Sequence, residues 1–185
     1  PKFYWYIKEQ TQLQVGVNIT NENRTGGDIE FIKGNKPNGY YESNNSDRFS
    51  TQLILDHRFG ECSHISVKNS INYFHRNISM IVYGFNGTQT GTFTEAAYAY
   101  HGDKSEWIAG INLVTDNFEE QHLASSPLRD YKQITTGIFV QNNLKVNENF
   151  SMETGLRGDH VKDYGFAFLP RVSMLFKISS KLSSR

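Results

Sequence analysis

The sequence predicts an all-β protein, an antiparallel up-and-down meander of about eight strands. Three observations carry this reading. Apolar and polar residues alternate with period two in segment after segment, most of these segments are long, and the connections between them switch between long and short.

Taken in order, Phe3 to Ile7 reads as the tail of an earlier strand. Leu13, Val15, Val17 and Ile19 then share one face, with Gln12, Gln14, Asn18 and Thr20 on the other. After a long polar loop at 22–47, Phe49, Thr51, Leu53 and Leu55 repeat the pattern, and a short turn at 58–63 leads to Val67, Ile71 and Tyr73. A second long loop, 76–90, precedes the face of Thr92, Thr94, Ala96, Tyr98 and Tyr100. A short turn at 101–106 leads to Trp107, Ala109, Ile111 and Leu113. The third long loop, 117–131, has room for one short helical turn within 117–126. Ile134, Thr136, Ile138 and Val140 follow, then a short turn at 144–148. Phe150, Met152, Thr154 and Leu156 oppose Ser151, Glu153, Arg157 and Asp159. A medium loop at 159–167 leads to Val172, Met174, Phe176 and Ile178, and a short turn at 179–181 precedes the start of another strand. Ile54, Phe93 and Leu175 break the alternation. Pro170 removes a ladder donor and is therefore placed among the first residues of its strand.

Composition removes several function classes. The 19 Lys+Arg balance 19 Asp+Glu, so the chain lacks the positive charge that sequence-independent binding to nucleic acid needs. Cys62 is the one cysteine and reads as an inert thiol. No stretch is apolar and long enough for a membrane-spanning helix, and no signal-peptide core is present at the start. A membrane β-barrel survives this test, because alternating strands keep hydropathy low, and mean hydropathy here is −0.55.

A barrel and a soluble, secreted β-sandwich that binds carbohydrate or acts as an adhesin both fit alternating strands. Strand length and loop asymmetry favour the barrel, as does the parity of charge. Lys68, Glu95, Glu153, Arg157, Asp159, Arg171 and Lys177 all sit on the polar face, where a barrel lumen is wet. Lys or Arg at the lipid midplane would cost ~2–4 kcal/mol each.

Three segments resemble consecutive barrel strands of TonB-dependent outer-membrane receptors: Thr136-Gly137-Ile138-Phe139-Val140-Gln141-Asn142, Glu153-Thr154-Gly155-Leu156-Arg157-Gly158-Asp159-His160 and Leu169-Pro170-Arg171-Val172-Ser173-Met174-Leu175-Phe176-Lys177. Arg24-Thr25-Gly26-Gly27-Asp28, Asp47 to Leu53 and Trp107 to Asn112 are similar to the Bacteroidetes-type members. The resemblance implies a slice of a roughly 22-stranded transmembrane β-barrel closed around a plug domain. Residues 1–185 are then expected to be a partial barrel domain, truncated at both ends, with neither plug nor TonB box. It further implies a Gram-negative outer-membrane location and uptake of large scarce nutrients, ferric-siderophore or other iron complexes first. The implied partners are outer-membrane lipid, the plug, the TonB complex and a small-molecule or metal-chelate cargo. Cut from its barrel, such a slice exposes strand edges and an apolar face, and it is expected to self-associate.

No chemistry of an enzyme is legible. His57, His64, His75, His101, His122 and His160 are scattered, without His-Glu-x-x-His, and read mostly as loop or turn residues. No metal site, cofactor or catalytic residue is assigned. Asn-x-Ser/Thr matches at Asn18, Asn23, Asn44, Asn77, Asn86 and Asn149 are what Asn-rich segments generate by chance. Tyr40 and Tyr41, deep in the longest loop, are the candidate ligand-contact residues, against the simpler role of packing that loop.

Overall fold

A computed structural model describes residues 1–121, 129–179 and 182–184. It contains one ten-stranded sheet in which every strand pairs antiparallel with the next in sequence. The strands are β1 (Lys2–Lys8), β2 (Thr11–Gly27), β3 (Tyr41–Phe59), β4 (Ser63–Met80), β5 (Gly84–His101), β6 (Ser105–Glu120), β7 (Tyr131–Lys145), β8 (Phe150–Val161), β9 (Gly165–Ser179) and β10 (Leu182–Ser184). The eight long strands expected from the alternation are β2 to β9. The short β1 and β10 are the flanking segments at Phe3–Ile7 and after 181. A sandwich would need a second sheet packed on the first, and the described residues form a single sheet.

Register aligns the alternating residues into two continuous faces. Leu13, Leu55, Val67, Ala96, Ile111, Ile138 and Gly158 lie on one rung of the face called outer here. On the next rung of that face are Leu53, Asn69, Thr94, Leu113 and Thr136, the Asn69 amide donating to Thr94 Oγ1 at 2.8 Å. None of this apolar surface is covered. Ile111 is 60% exposed and Ile138 64%, and Ala99 is the buried apolar residue among those described. A sheet without a core gains its stability from what lies against that face, and a hydrocarbon layer suits it, because β2 to β8 each have a hydrogen-bonded neighbour on both sides.

Aromatic residues bound the apolar band. Ile19, Phe49 and Tyr73 share one rung near the end that carries the longer connections. Toward the other end Tyr100 pairs with Trp107, and the rings of Phe150 and Phe176 stack at 4.6 Å. The span from Phe49 to Phe59 is about ten residues, which at ~3.4 Å per residue and ~40° tilt stands ~26 Å tall, close to the ~25 Å band of an outer-membrane barrel.

Several strands continue well past the band, which corrects the expected loops. β2 and β3 stay paired up to Gly27 and Tyr41, so the connection is 28–40 instead of 22–47. β4 and β5 turn through 81–83, so 76–90 is a tall hairpin. Beyond the lipid both faces meet water; Asn21, Ser43, Asn45, Asp47, Asn77 and Thr88 then occupy outer-face positions and the apolar–polar contrast vanishes. The 28–40 connection holds a four-residue helix, α1 (Ile29–Ile32), capped by Asp28, whose carboxylate accepts from Glu30 N at 3.0 Å. Gly27 takes φ 134°, and a Cβ there would collide with the Tyr40 carbonyl. The helical turn expected within 117–126 does not form over 117–120, which is strand; 122–128 lie outside the described residues.

Pro170 is also placed differently. It sits inside β9, opposite Leu156, not among the strand's first residues.

The two faces make opposite predictions for the same mutation. Ile111→Arg, in the middle of the outer band, is expected to destabilise the folded protein in lipid vesicles by ~2–4 kcal/mol. Gln141→Arg on the inner face is expected to change it by less than ~1 kcal/mol. Urea titration followed by tryptophan fluorescence measures both, and equal effects would contradict this assignment of faces.

Candidate functional site

The inner face carries the polar parity of every strand, and its side chains form two distinct zones. At mid-height, Lys68, Glu95, Asn112, Gly137 and Asp159 lie on one rung across β4 to β8. Lys68 Nζ is 3.1 Å from Glu95 Oε1. Arg157 Nε donates to both Asp159 oxygens at 2.9 Å, and its Nη2 reaches Asn112 Oδ1 at 3.3 Å. Arg171 Nη2 lies 3.2 Å from Glu153 Oε1. The charges assigned to the wet face are therefore on it, and three of the cations are paired. Each pair is partly exposed and worth no more than ~1 kcal/mol, so the network's main effect is to keep charge satisfied. Gly137 makes the bridge possible: a Cβ would fall 2.6 Å from Asn112 Oδ1 and collide with Asp159.

Nearer the end with the longer connections, Thr20, Arg48, Phe74, Gln89, Phe118 and Tyr131 occupy a single rung across β2 to β7. The Arg48 guanidinium lies 4.7 Å from the Phe74 ring centroid. Gln89 Nε2 donates to Asp116 at 2.9 Å, and the Tyr131 hydroxyl donates to the same carboxylate at 3.0 Å. Phe118 stacks between Phe85, at 6.3 Å, and Tyr131, at 5.7 Å. Arg129 lies over Phe85 and clasps Glu120 with two hydrogen bonds, of 2.7 and 2.5 Å. That carboxylate, with Tyr83, holds the guanidinium pKa further above its usual value. Arg48, Asn72, Phe74, Gln89, Phe93 and Asp116 line a hollow of about 480 Å³.

The tyrosine pair separates. Tyr40 is 54% exposed and donates to Glu42 Oε2 at 2.8 Å; this bond, with some desolvation and the carboxylate's charge, raises the phenol's pKa. Glu42 belongs to the inner-face parity of β3, so Tyr40 stands at the rim of the inner wall. Tyr41 packs edge-on against Phe31 of α1 at 6.2 Å, which is the loop-packing role. Phe74, Gln89, Phe118 and Tyr131 were not singled out from sequence as site residues. Their positions span distant stretches of the chain, and only register brings them to one rung.

The described histidines are strand residues, not loop residues. His57, His64, His75, His101 and His160 all lie within strands, and His122 is outside the described residues. His101 joins Glu106 at 3.0 Å and His64 at 3.2 Å near the opposite end of the inner face. Among the described residues no three His, Cys, Asp or Glu gather as metal ligands.

The sequence matches the family described as TonB dependent receptor-like, beta-barrel, over residues 3–185. Solved structures share the fold. The alcaligin outer-membrane receptor FauA from Bordetella pertussis is 12% identical, with a TM-score of 0.78, covering 97% of this chain and 32% of that one. The siderophore receptor PirA from Acinetobacter baumannii is 13% identical, with a TM-score of 0.77 and coverages of 97% and 31%. A mutant ferric enterobactin receptor, PfeA from Pseudomonas aeruginosa, is 8% identical, with a TM-score of 0.73 and coverages of 97% and 30%. The chain thus spans about a third of the length of these receptors. No curated protein sequence matches it.

The mid-wall geometry is testable at Gly137. Gly137→Ala is expected to push the Asn112 and Asp159 side chains aside and to lower stability in lipid by about 1 kcal/mol, the worth of the partly exposed bridge that it breaks. Gly91→Ala, whose new Cβ would meet nothing nearer than a carbonyl at 3.5 Å, is expected to stay within about 0.5 kcal/mol of the parent. The same urea titration compares them.

Proposed function

The chain belongs to the TonB-dependent receptor β-barrel family, and from that premise we propose that it forms wall and mouth of an importer of ferric-siderophore or other iron complexes. The observation that carries the reading is the inner-face rung of Arg48, Phe74, Gln89, Phe118 and Tyr131. It lies one residue beyond the aromatic rung at Phe49 and Tyr73, on the lumen side, where cargo would enter. Rings and fixed hydrogen-bonding groups facing a lumen suit a bulky chelate. The solved receptors of this fold named above are themselves siderophore receptors, which supports the choice of cargo.

The family is one of receptors and transporters in the Gram-negative outer membrane, and this chain is a wall segment in that membrane. In the proposed assembly it contributes neighbouring strands to a closed barrel of roughly 22. β1 and β10 would pair with further strands, the mid-wall ion pairs would border a plug, and TonB would supply energy. Cargo passes through chemically unchanged. Connections 28–40 and 121–130 and the hairpin tip at 81–83 would help capture it, with Tyr40 as a rim contact.

Three measurements test this reading. A strain lacking the receptor should lose growth on ferric siderophores as the iron source. The gene should restore growth only when TonB is present, and uptake independent of TonB would sink the proposal. Tyr40→Ala in the complete receptor should weaken ferric-siderophore binding several-fold, whereas Tyr41→Ala should act on stability alone. The isolated chain should scatter light as an oligomer in plain buffer and disperse in detergent; a detergent-free monomer would contradict the lipid-facing assignment.

A further inference from the structure

The Asn-rich stretches that produce the Asn-x-Ser/Thr matches share a position in the sheet. Above the aromatic rung, register brings Asn23, Asn45, Asn77 and Asn86 of β2 to β5 side by side on the outer face. Gln121, just past β6, extends the row: its backbone N–H donates to Asn86 O at 2.8 Å, and its side-chain carbonyl accepts from Asn86 Nδ2 at 3.0 Å. Asn23, Asn45 and Asn77 are exposed, and their amides have no hydrogen-bond partner among the described residues. The inward side differs at this height, where Asn44 is half-buried and its Oδ1 accepts from Arg76 Nε at 3.0 Å.

Height decides what can meet this row. Asn45 and Asn77 lie four residues beyond Phe49 and Tyr73, whose rung marks the edge of the hydrocarbon. At ~3.4 Å per residue and ~40° tilt that is ~10 Å, whereas a phospholipid headgroup layer adds only ~5–8 Å to each side of the hydrocarbon. The row is continuous with the apolar band below it, so a lipid lying on the band meets the row only if its headgroup is taller than a phospholipid's. Chemistry narrows the partner further. The rung beneath, Asn21, Asp47, His75, Thr88 and Glu119, carries two carboxylates and no Lys or Arg, which disfavours phosphate. Each amide of the row offers two donors and an acceptor. Spaced ~4.8 Å apart on neighbouring strands, these amides suit hydroxyl groups, which also donate and accept.

We infer that the row is a docking surface for the saccharide headgroup of a glycolipid in the outer leaflet. The acyl chains of that lipid lie on the apolar band, and its uncharged sugars hydrogen-bond to Asn23, Asn45 and Asn77. This goes beyond the import reading: it rests on the lipid-facing assignment of the outer face and holds whatever the cargo is.

The test uses the complete receptor, delipidated in detergent micelles and titrated by native mass spectrometry with lipopolysaccharide carrying its core sugars and with lipid A, which lacks them. The sugar-bearing form should bind about tenfold or more tightly. The triple variant Asn23→Ala/Asn45→Ala/Asn77→Ala should lose most of that preference while keeping its affinity for lipid A, and Gln at the same three positions should restore part of it. Asn44→Ala, which takes an amide from the opposite face at the same height, should leave the preference unchanged. Equal binding of the two lipids by the parent, or an undiminished preference in the triple Ala variant, overturns the docking surface. A preference that vanishes once the core sugars are dephosphorylated also overturns it, since the partner would then be an anion.

Discussion

A sheet facing hydrocarbon has nowhere to leave an unpaired backbone N–H or C=O, and the rest of this structure follows from that constraint. Every strand must find its neighbour in register along the buried length, and the simplest chain path that does so is the nearest-neighbour meander seen from β1 to β10. Once the ladder is set, side-chain parity is set with it. Odd and even positions become lipid and lumen, and no separate core is required: among the described residues Ala99 alone is a buried apolar one, which is compatible with a stable sheet because the solvent on one side is itself apolar.

The same ladder builds the inner wall. Residues far apart in sequence become lateral neighbours at fixed spacing, so a rung is a natural unit of recognition. Mid-height rungs carry compensated charge, bridged where Gly137 leaves room for Arg157 to join Asp159 and Asn112. Rungs toward the mouth carry rings, amides and arginines, of which Arg48 and Arg76 are held by neutral groups and Arg24 and Arg129 by carboxylates.

What the sequence disclosed depended on where lipid lies. Within the apolar band, Leu13 to Ile19 or Ile134 to Val140 announce their parity because one face must be apolar and the other need not be. Above it, Asn21, Ser43 and Asn77 are polar on either face, so tall strands were indistinguishable from polar loops. The four-residue helix α1 is too short to show a period. Tyr40 and Tyr41 were legible as a pair, but not which would pack and which would face the rim, because that depends on Glu42 and Phe31. The rung of Arg48, Phe74, Gln89, Phe118 and Tyr131 was invisible without register, since no local motif joins positions drawn from five strands.

The continuation of β2 to β5 above the band has a thermodynamic side. A mouth made of floppy loops must be ordered each time cargo arrives, at about 1–2 kcal/mol for each backbone residue fixed. Here much of the mouth is hydrogen-bonded sheet before any ligand approaches, and the entropy of shaping it has been spent during folding. In the proposed importer, capture would be closer to filling a mould than to closing a net, with a correspondingly small tolerance for misfitting molecules.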